Sequence, residues 1–208
     1  EIARPLGIND LWLGIPDEVE PRVARLKNTV PPANPPVLPP DALVLQAIPP
    51  SLGVTQEVFG SPQVRRSCHP GAGGITNARS IARMYAMLAE GGTLDGVRLL
   101  SPERLSGAYA LQSDEVDQVI GQSYRRGLGY WLGGSPDANS QVMGSNPKAF
   151  GHPGAGGSIA WADPDNRLAV AIIKNRMLAP ATAEDNPLLE LANEIRDALG
   201  VAAVPAAV

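Results

Sequence analysis

Eight prolines crowd the twenty residues from 31 to 50, and nothing else in the sequence limits the fold as strongly. They come in pairs: Pro31-Pro32, Pro35-Pro36, Pro39-Pro40 and Pro49-Pro50. A proline has no backbone N–H to donate, fixes its own φ and pushes the residue before it out of the helical region. A stretch so punctuated is predicted to be neither a regular helix nor a central strand. It is either an extended linker or a loop laid across the surface of one domain. At 208 residues the chain suits one ordinary domain or two small lobes.

Composition narrows the class. Hydrophobic residues make up 44% and charged residues 18%, as in soluble globular proteins. Only 4% are aromatic, so the core must rest mainly on Ala, Val, Leu and Ile. The net charge is −4, and the one basic pair, Arg125-Arg126, reads as a solvated turn. Neither nucleic acid nor an acidic membrane surface is expected as a partner. No run of about 18 apolar residues occurs, so no membrane span is predicted. Cys68 is a single cysteine and cannot close an intramolecular disulfide. It reads as an incidental small residue, and its solitude fits a reducing compartment such as the cytoplasm. The start, Glu1-Ile2-Ala3-Arg4-Pro5, lacks Met and reads as the tail of a helix stopped at Pro5. The chain is therefore expected to be incomplete at its N-terminus, and any secretion signal would lie in the missing part.

Periodicity places the elements. Residues 16–26 read as a short helix with Val19, Val23 and Leu26 on one face. Residues 71–74 form a glycine-rich loop. Thr76 or Asn77 then caps a helix whose buried face is Ala78, Ile81, Ala82, Tyr85, Leu88 and Ala89, and Gly91-Gly92 ends it. Ser101-Pro102 starts a second helix. Residues 126–132 read as a strand, followed by short β-like runs at 150–154, 158–162 and 168–173. The last two are joined by the turn Asp163-Pro164-Asp165-Asn166. Asn186 caps a terminal helix with Pro187 at its first position, the stripe Leu188, Leu191, Ile195 and Leu199, and Gly200 at its end. No internal repeat is read. The pattern is α+β: a helical, loop-rich lobe over 1–125, strands and a helix over 126–200, and a frayed tail over 201–208.

Three segments, in order, carry a family resemblance. The first is Pro5-Leu6-Gly7-Ile8-Asn9-Asp10 with Gly14-Ile15-Pro16. The second runs from Gly73-Gly74-Ile75-Thr76-Asn77-Ala78 to Gly91-Gly92-Thr93-Leu94-Asp95-Gly96 and Leu100-Ser101-Pro102-Glu103. The third is Phe150-Gly151-His152-Pro153-Gly154-Ala155-Gly156-Gly157-Ser158 with Asn175-Arg176-Met177. Together they resemble the serine β-lactamase and penicillin-binding-protein superfamily, and within it the class C-like proteins and family VIII carboxylesterases. The resemblance implies a β-lactamase/transpeptidase-like fold with an antiparallel sheet and packed helices. It implies an acyl-enzyme hydrolase of small ester or amide substrates, and neither metal nor cofactor. In that family a Ser-x-x-Lys helix supplies the nucleophile and its proton acceptor. A Tyr-x-Asn type motif supplies a second acid/base, and a Lys/His-x-Gly strand lines the site.

Only the last is matched here. By the resemblance His152 lines the site and Gly154 keeps the strand open to substrate. The Ala155 N–H helps hold the oxyanion, Pro153 lies among the substrate-binding residues, and Gly156 and Gly157 allow close backbone approach. From the residues alone, His152 reads as a hydrogen-bonded histidine near a turn, and only the resemblance favours the site; His69 reads as a loop residue. His-Pro-Gly in place of the common Lys-Thr-Gly removes two groups suited to a β-lactam carboxylate, which favours ester hydrolysis over a β-lactamase or D-alanyl peptidase. The one Ser-x-x-Lys, Ser145-Asn146-Pro147-Lys148, sits too close to the next strand to form a helix and reads as a decoy. No Gly-x-Ser-x-Gly elbow occurs. Two histidines and one cysteine give no metal-ligand spacing, and the paired carboxylates Asp114/Glu115 and Asp163/Asp165 read as solvated surface. The nucleophile is thus expected on a missing N-terminal segment or companion chain, with a homo-oligomer compatible. The late strands would then expose an apolar edge. The rival of another class is a non-catalytic module on a retired hydrolase fold.

Overall fold

A computed structural model describes residues 1–28, 38–49, 51, 53, 55–177 and 186–201. A turn over residues 3–7 leads to β1 (Leu11–Leu13), a 3-10 turn (Glu20–Arg22) and β2 (Lys27–Asn28). Three short helices follow: α1 (Leu43–Ala47), α2 (Gln56–Phe59) and α3 (Pro62–Arg66). Next come β3 (Gly74–Thr76), the long α4 (Ala78–Ala89), the hairpin β4 (Thr93–Leu94) and β5 (Val97–Arg98), and α5 (Pro102–Ala108). The remainder holds β6 (Trp131–Leu132), α6 (Ala138–Met143), β7 (Phe150–Pro153), β8 (Ile159–Asp163), β9 (Leu168–Ile172), β10 (Arg176–Met177) and α7 (Pro187–Ala198). The helix starts are those the capping chemistry specifies. Asn77 Oδ1 accepts from Ser80 N at 2.9 Å, Ser101 Oγ from Arg104 N at 3.2 Å, and Asn186 Oδ1 from Leu188 N at 3.1 Å.

The centre is an antiparallel sheet in the order β6-β7-β8-β9. Its two long strands alternate alanine with bulk: Ile159-Ala160-Trp161-Ala162 and Leu168-Ala169-Val170-Ala171-Ile172. Because side chains alternate between faces, one face is floored by alanines and the other carries the large residues. Helix α4 lies on the alanine face, where Tyr85, Met87 and Leu88 join Leu132, Phe150, Ala160 and Ala162 in one buried cluster. On the other face α6 and α7 pack Val142, Met143, Leu188 and Ala192 against Ile159, Trp161, Leu168 and Val170. A sheet covered on both faces needs no polar alternation, which is why these strands read as unbroken apolar runs. Among the described residues β9 pairs only with β8, so its outer edge is open.

Several expectations are corrected. The helix over 16–26 shrinks to the turn Glu20–Arg22, because Pro21 lacks the N–H a helix needs there. Conversely, the proline-rich stretch admits the five-residue helix α1 in the proline-free gap between Pro40 and Pro49; residues 29–37 and 50 lie outside the described residues, as does the tail beyond 201. The strand expected over 126–132 is only β6, since Gly127 N donates to Tyr130 O (2.9 Å) and Gly129 turns at φ +79°. Arg125 and Arg126 are not idle. Arg125 donates to Gly133 O, and Arg126 pairs with Asp117 at 2.7 Å and lies over the Tyr124 and Trp131 rings. In α7, Leu191 and Leu199 face solvent, and the buried stripe is Leu188, Ala192 and Arg196. Arg196 is inside because its guanidinium finds Val142 O and the face of Trp161. Asp163 is buried, not surface, and accepts from Asn146 Nδ2 (2.7 Å) and Asn166 Nδ2 (2.8 Å).

Candidate active site

The strand β7 emerges from the core with Phe150 and Gly151 buried and His152 exposed. Gly151 must be glycine: a Cβ there would lie 2.2 Å from Ala160 O and 2.6 Å from Trp161 Cβ. At Gly154 a Cβ would meet only Ser158 O at 3.5 Å, and at Gly156 only Met177. β6 covers just Phe150 and Gly151, so His152 and Pro153 run on past it with that edge open. The turn closes with Gly154 N to Ser158 O at 2.7 Å and Gly157 N to Gly154 O at 2.8 Å, and Gly157 takes φ +83°. Ala155 is exposed at its tip, and among the described residues no group accepts from its N–H. The expected residues His152, Pro153, Gly154, Ala155, Gly156 and Gly157 therefore form one contiguous strand end and turn.

His152 lies on the α4 face with Phe150. Its Nδ1 is 2.7 Å from Pro153 O. A carbonyl only accepts, so Nδ1 is the donor in this contact. Two aromatic groups that the sequence did not announce meet at β6 and β7, one on each face of the sheet. The Trp131 ring is 5.8 Å from the His152 ring and 4.3 Å from Tyr124. Phe150 stacks on Tyr109 at 4.9 Å and meets Tyr130 edge-on at 5.0 Å, and Tyr130 meets Tyr85 at 6.5 Å. All four tyrosines thus converge on β6 and β7. Burial holds the Tyr85 hydroxyl well above its ordinary range and raises Tyr130 as well. Both are neutral donors at neutral pH rather than bases. The available signal was Tyr130-Trp131 following the glycine-spaced Gly127-Leu128-Gly129.

Residues 145–148 form a bend and a turn. Ser145 is exposed, Lys148 N donates to Asn146 Oδ1 (3.0 Å), and Lys148 Nζ pairs with Asp165 at 3.1 Å. His69 sits in an exposed turn in which Gly73 N donates to His69 O at 2.6 Å. One internal identity stands against the absence of repeats: His69-Pro70-Gly71-Ala72-Gly73-Gly74 is the same hexapeptide as His152-Pro153-Gly154-Ala155-Gly156-Gly157. Among the described residues no cluster of His, Cys, Asp or Glu could hold a metal, and no helix is long and apolar enough to cross a membrane. Two open grooves lie away from this strand end. One of about 520 Å³ runs between α4 and the free edge of β9, and one of about 550 Å³ is lined by Glu20, Gln56 and Arg65.

The family model described as Beta-lactamase matches residues 1–194. A solved family VIII carboxylesterase superposes with a TM-score of 0.73 at 32% identity, over 89% of this chain and 48% of its own. A penicillin-binding protein homolog from Caulobacter crescentus gives 0.71 at 31%, over 92% of this chain and 50% of its own. The Mycobacterium tuberculosis (strain ATCC 25618 / H37Rv) protein "Esterase/beta-lactamase LipL" is 36% identical over 117 residues, covering 56% of this chain and 26% of that protein. The chain spans about half the length of the solved relatives it matches.

Proposed function

The chain belongs to the β-lactamase family, and from that membership we propose that it is part of a serine hydrolase cleaving esters through an acyl-enzyme. Its contribution is one wall of the site: His152, Pro153 and Gly154 beside the substrate, the Ala155 N–H as oxyanion donor, and Gly156 and Gly157 completing the turn behind it. The nucleophilic serine, on this reading outside the chain, attacks the ester carbonyl and passes its proton to the lysine of its motif. The carbonyl electron pair moves onto oxygen, where the Ala155 N–H receives it. Collapse expels the alcohol, which takes up the proton, and water then hydrolyses the acyl-serine. The observation that carries the ester reading is His-Pro-Gly at the strand end where Lys-Thr-Gly would offer an ammonium and a hydroxyl to a carboxylate. A short acyl ester is therefore expected to be turned over faster than a chromogenic cephalosporin by the complete protein; the reverse order would sink this reading. The name of LipL, which covers both activities, is what keeps the β-lactamase alternative in view.

The same proposal includes a partner for the open edge of β9. A strand whose outer edge is unpaired among the described residues and which carries Leu168, Val170 and Ile172 invites a further strand, from a companion segment or a second copy. The isolated 208-residue chain is accordingly expected to sediment as oligomers or aggregate. A monodisperse monomer with one cooperative unfolding transition would remove this part of the proposal.

A further inference from the structure

The turn that carries Ala155 rests on β10. A Cβ on Gly156 would touch Met177 Cγ at 3.5 Å, and Ser158 Oγ accepts from Lys174 N at 3.1 Å. β10 lies parallel to β2, with Met177 opposite Asn28. Asn175 fastens the two, its carbonyl accepting from Lys27 N (2.9 Å) and its Nδ2 donating to Arg25 O (2.9 Å). Two-residue strands have too few ladder bonds to stay paired unaided. At the end of β2, the amides of Asn28 and Gln56 supply what the ladder lacks. Asn28 Oδ1 accepts from Gln56 N (2.8 Å), Asn28 N donates to Gln56 Oε1 (2.8 Å), and Asn28 Nδ2 donates to Glu57 Oε2 (3.2 Å). The start of α2 is thereby sewn to β2, and through β10 to the back of the turn.

We infer that Asn28 is a positioning residue for the oxyanion turn: by clamping α2 and β2 behind β10 it keeps Met177 against Gly156 and fixes the direction of the Ala155 N–H. The inference rests on the proposed role of Ala155. Asparagine suits the post because one amide accepts and donates at once. An aspartate would still accept from Gln56 N but would set a second carboxylate against Glu57, and a glutamine at 57 would restore the donor–acceptor match from the other side.

The test is amide exchange and ester turnover in Asn28→Asp, with and without Glu57→Gln, in the complete protein that also carries the serine-bearing segment. Asn28→Asp is expected to speed exchange of the hydrogen-bonded Gly154 and Gly157 amides about tenfold while β8 and β9 amides keep their rates. It is expected to lower kcat on a short acyl ester about tenfold with KM nearly constant, as misaimed but still bound substrate requires. Adding Glu57→Gln is expected to restore both. Wild-type exchange at Gly154 and Gly157 in Asn28→Asp overturns the inference, whether or not the Gln56 amide speeds up. Absence of turnover in the unaltered protein removes the ester reading instead, and the exchange rates still decide whether Asn28 holds the turn.

Discussion

Trp161→Ala is expected to cost about 3–5 kcal/mol of folding stability, the usual range for truncating a fully buried aromatic. Trp161 is 0% exposed at the middle of β8, between Gly151 and Val170 in register. Its ring fills the face on which α6 and α7 pack and lies under the Arg196 guanidinium, 5.5 Å away. Removing it leaves a void that neighbours on rigid strands cannot close, and it strips a buried cation of its aromatic partner. Trp161→Phe is expected to cost far less. It keeps most of the ring and discards an indole N–H that finds no hydrogen-bond partner among the described residues, a defect that itself costs about 1–3 kcal/mol. Urea midpoints for the two variants read the difference; equal losses would show that the void is not the main source of the instability.

Ala155→Pro is expected to lower kcat for ester hydrolysis about 10²–10³-fold, the loss associated with one oxyanion donor, while leaving stability unchanged or slightly raised. The geometry makes this substitution selective. Ala155 is the second residue of the turn closed by Gly157 N to Gly154 O, a position proline favours in type I and II turns. Gly154 before it is outside the left-handed region and follows an extended strand, as the residue preceding proline prefers. The variant thus deletes one N–H and little else. Thermal unfolding beside kcat and KM provides the check: turnover within about threefold of the parent would mean that this N–H receives no developing charge.

Much of this arrangement was legible in the residues, for identifiable reasons. Asn77, Ser101 and Asn186 mark helix starts because a short polar side chain satisfies a free N–H at one place only. Asp163-Pro164-Asp165-Asn166 marks the β8–β9 turn because proline and Asx residues fit its dihedrals. What failed were expectations that depend on distant partners. The buried stripe of α7 includes Arg196 rather than Leu191 and Leu199, since Val142 O and Trp161 make a place for a guanidinium that no periodicity can announce. Asp163 is buried for the same kind of reason, its lone pairs met by Asn146 and Asn166.

The twin hexapeptides meet the same limit. His69-Pro70 enters an exposed turn, whereas His152-Pro153 continues a strand, because only the second has Ala160 and Ile159 alongside to pair with. Identical local sequence yields two conformations, and only long-range pairing selects between them. The candidate site was visible as a string of residues through resemblance. The contact of Trp131 with His152, that of Tyr85 with Tyr130, and the bonds through Asn28 were not, because their members are scattered along the chain and meet only once the sheet forms.

The central claim is that the Ala155 turn serves a serine lying outside these residues, and adduct mapping tests it most directly. A turnover-competent sample treated with a fluorophosphonate ester reagent would be digested and sequenced by mass spectrometry. A single adduct is expected on the serine of a Ser-x-x-Lys motif outside residues 1–208, rising in step with loss of ester hydrolysis. An adduct on Ser145, or on any other serine of this chain, would contradict the claim and place the chemistry elsewhere.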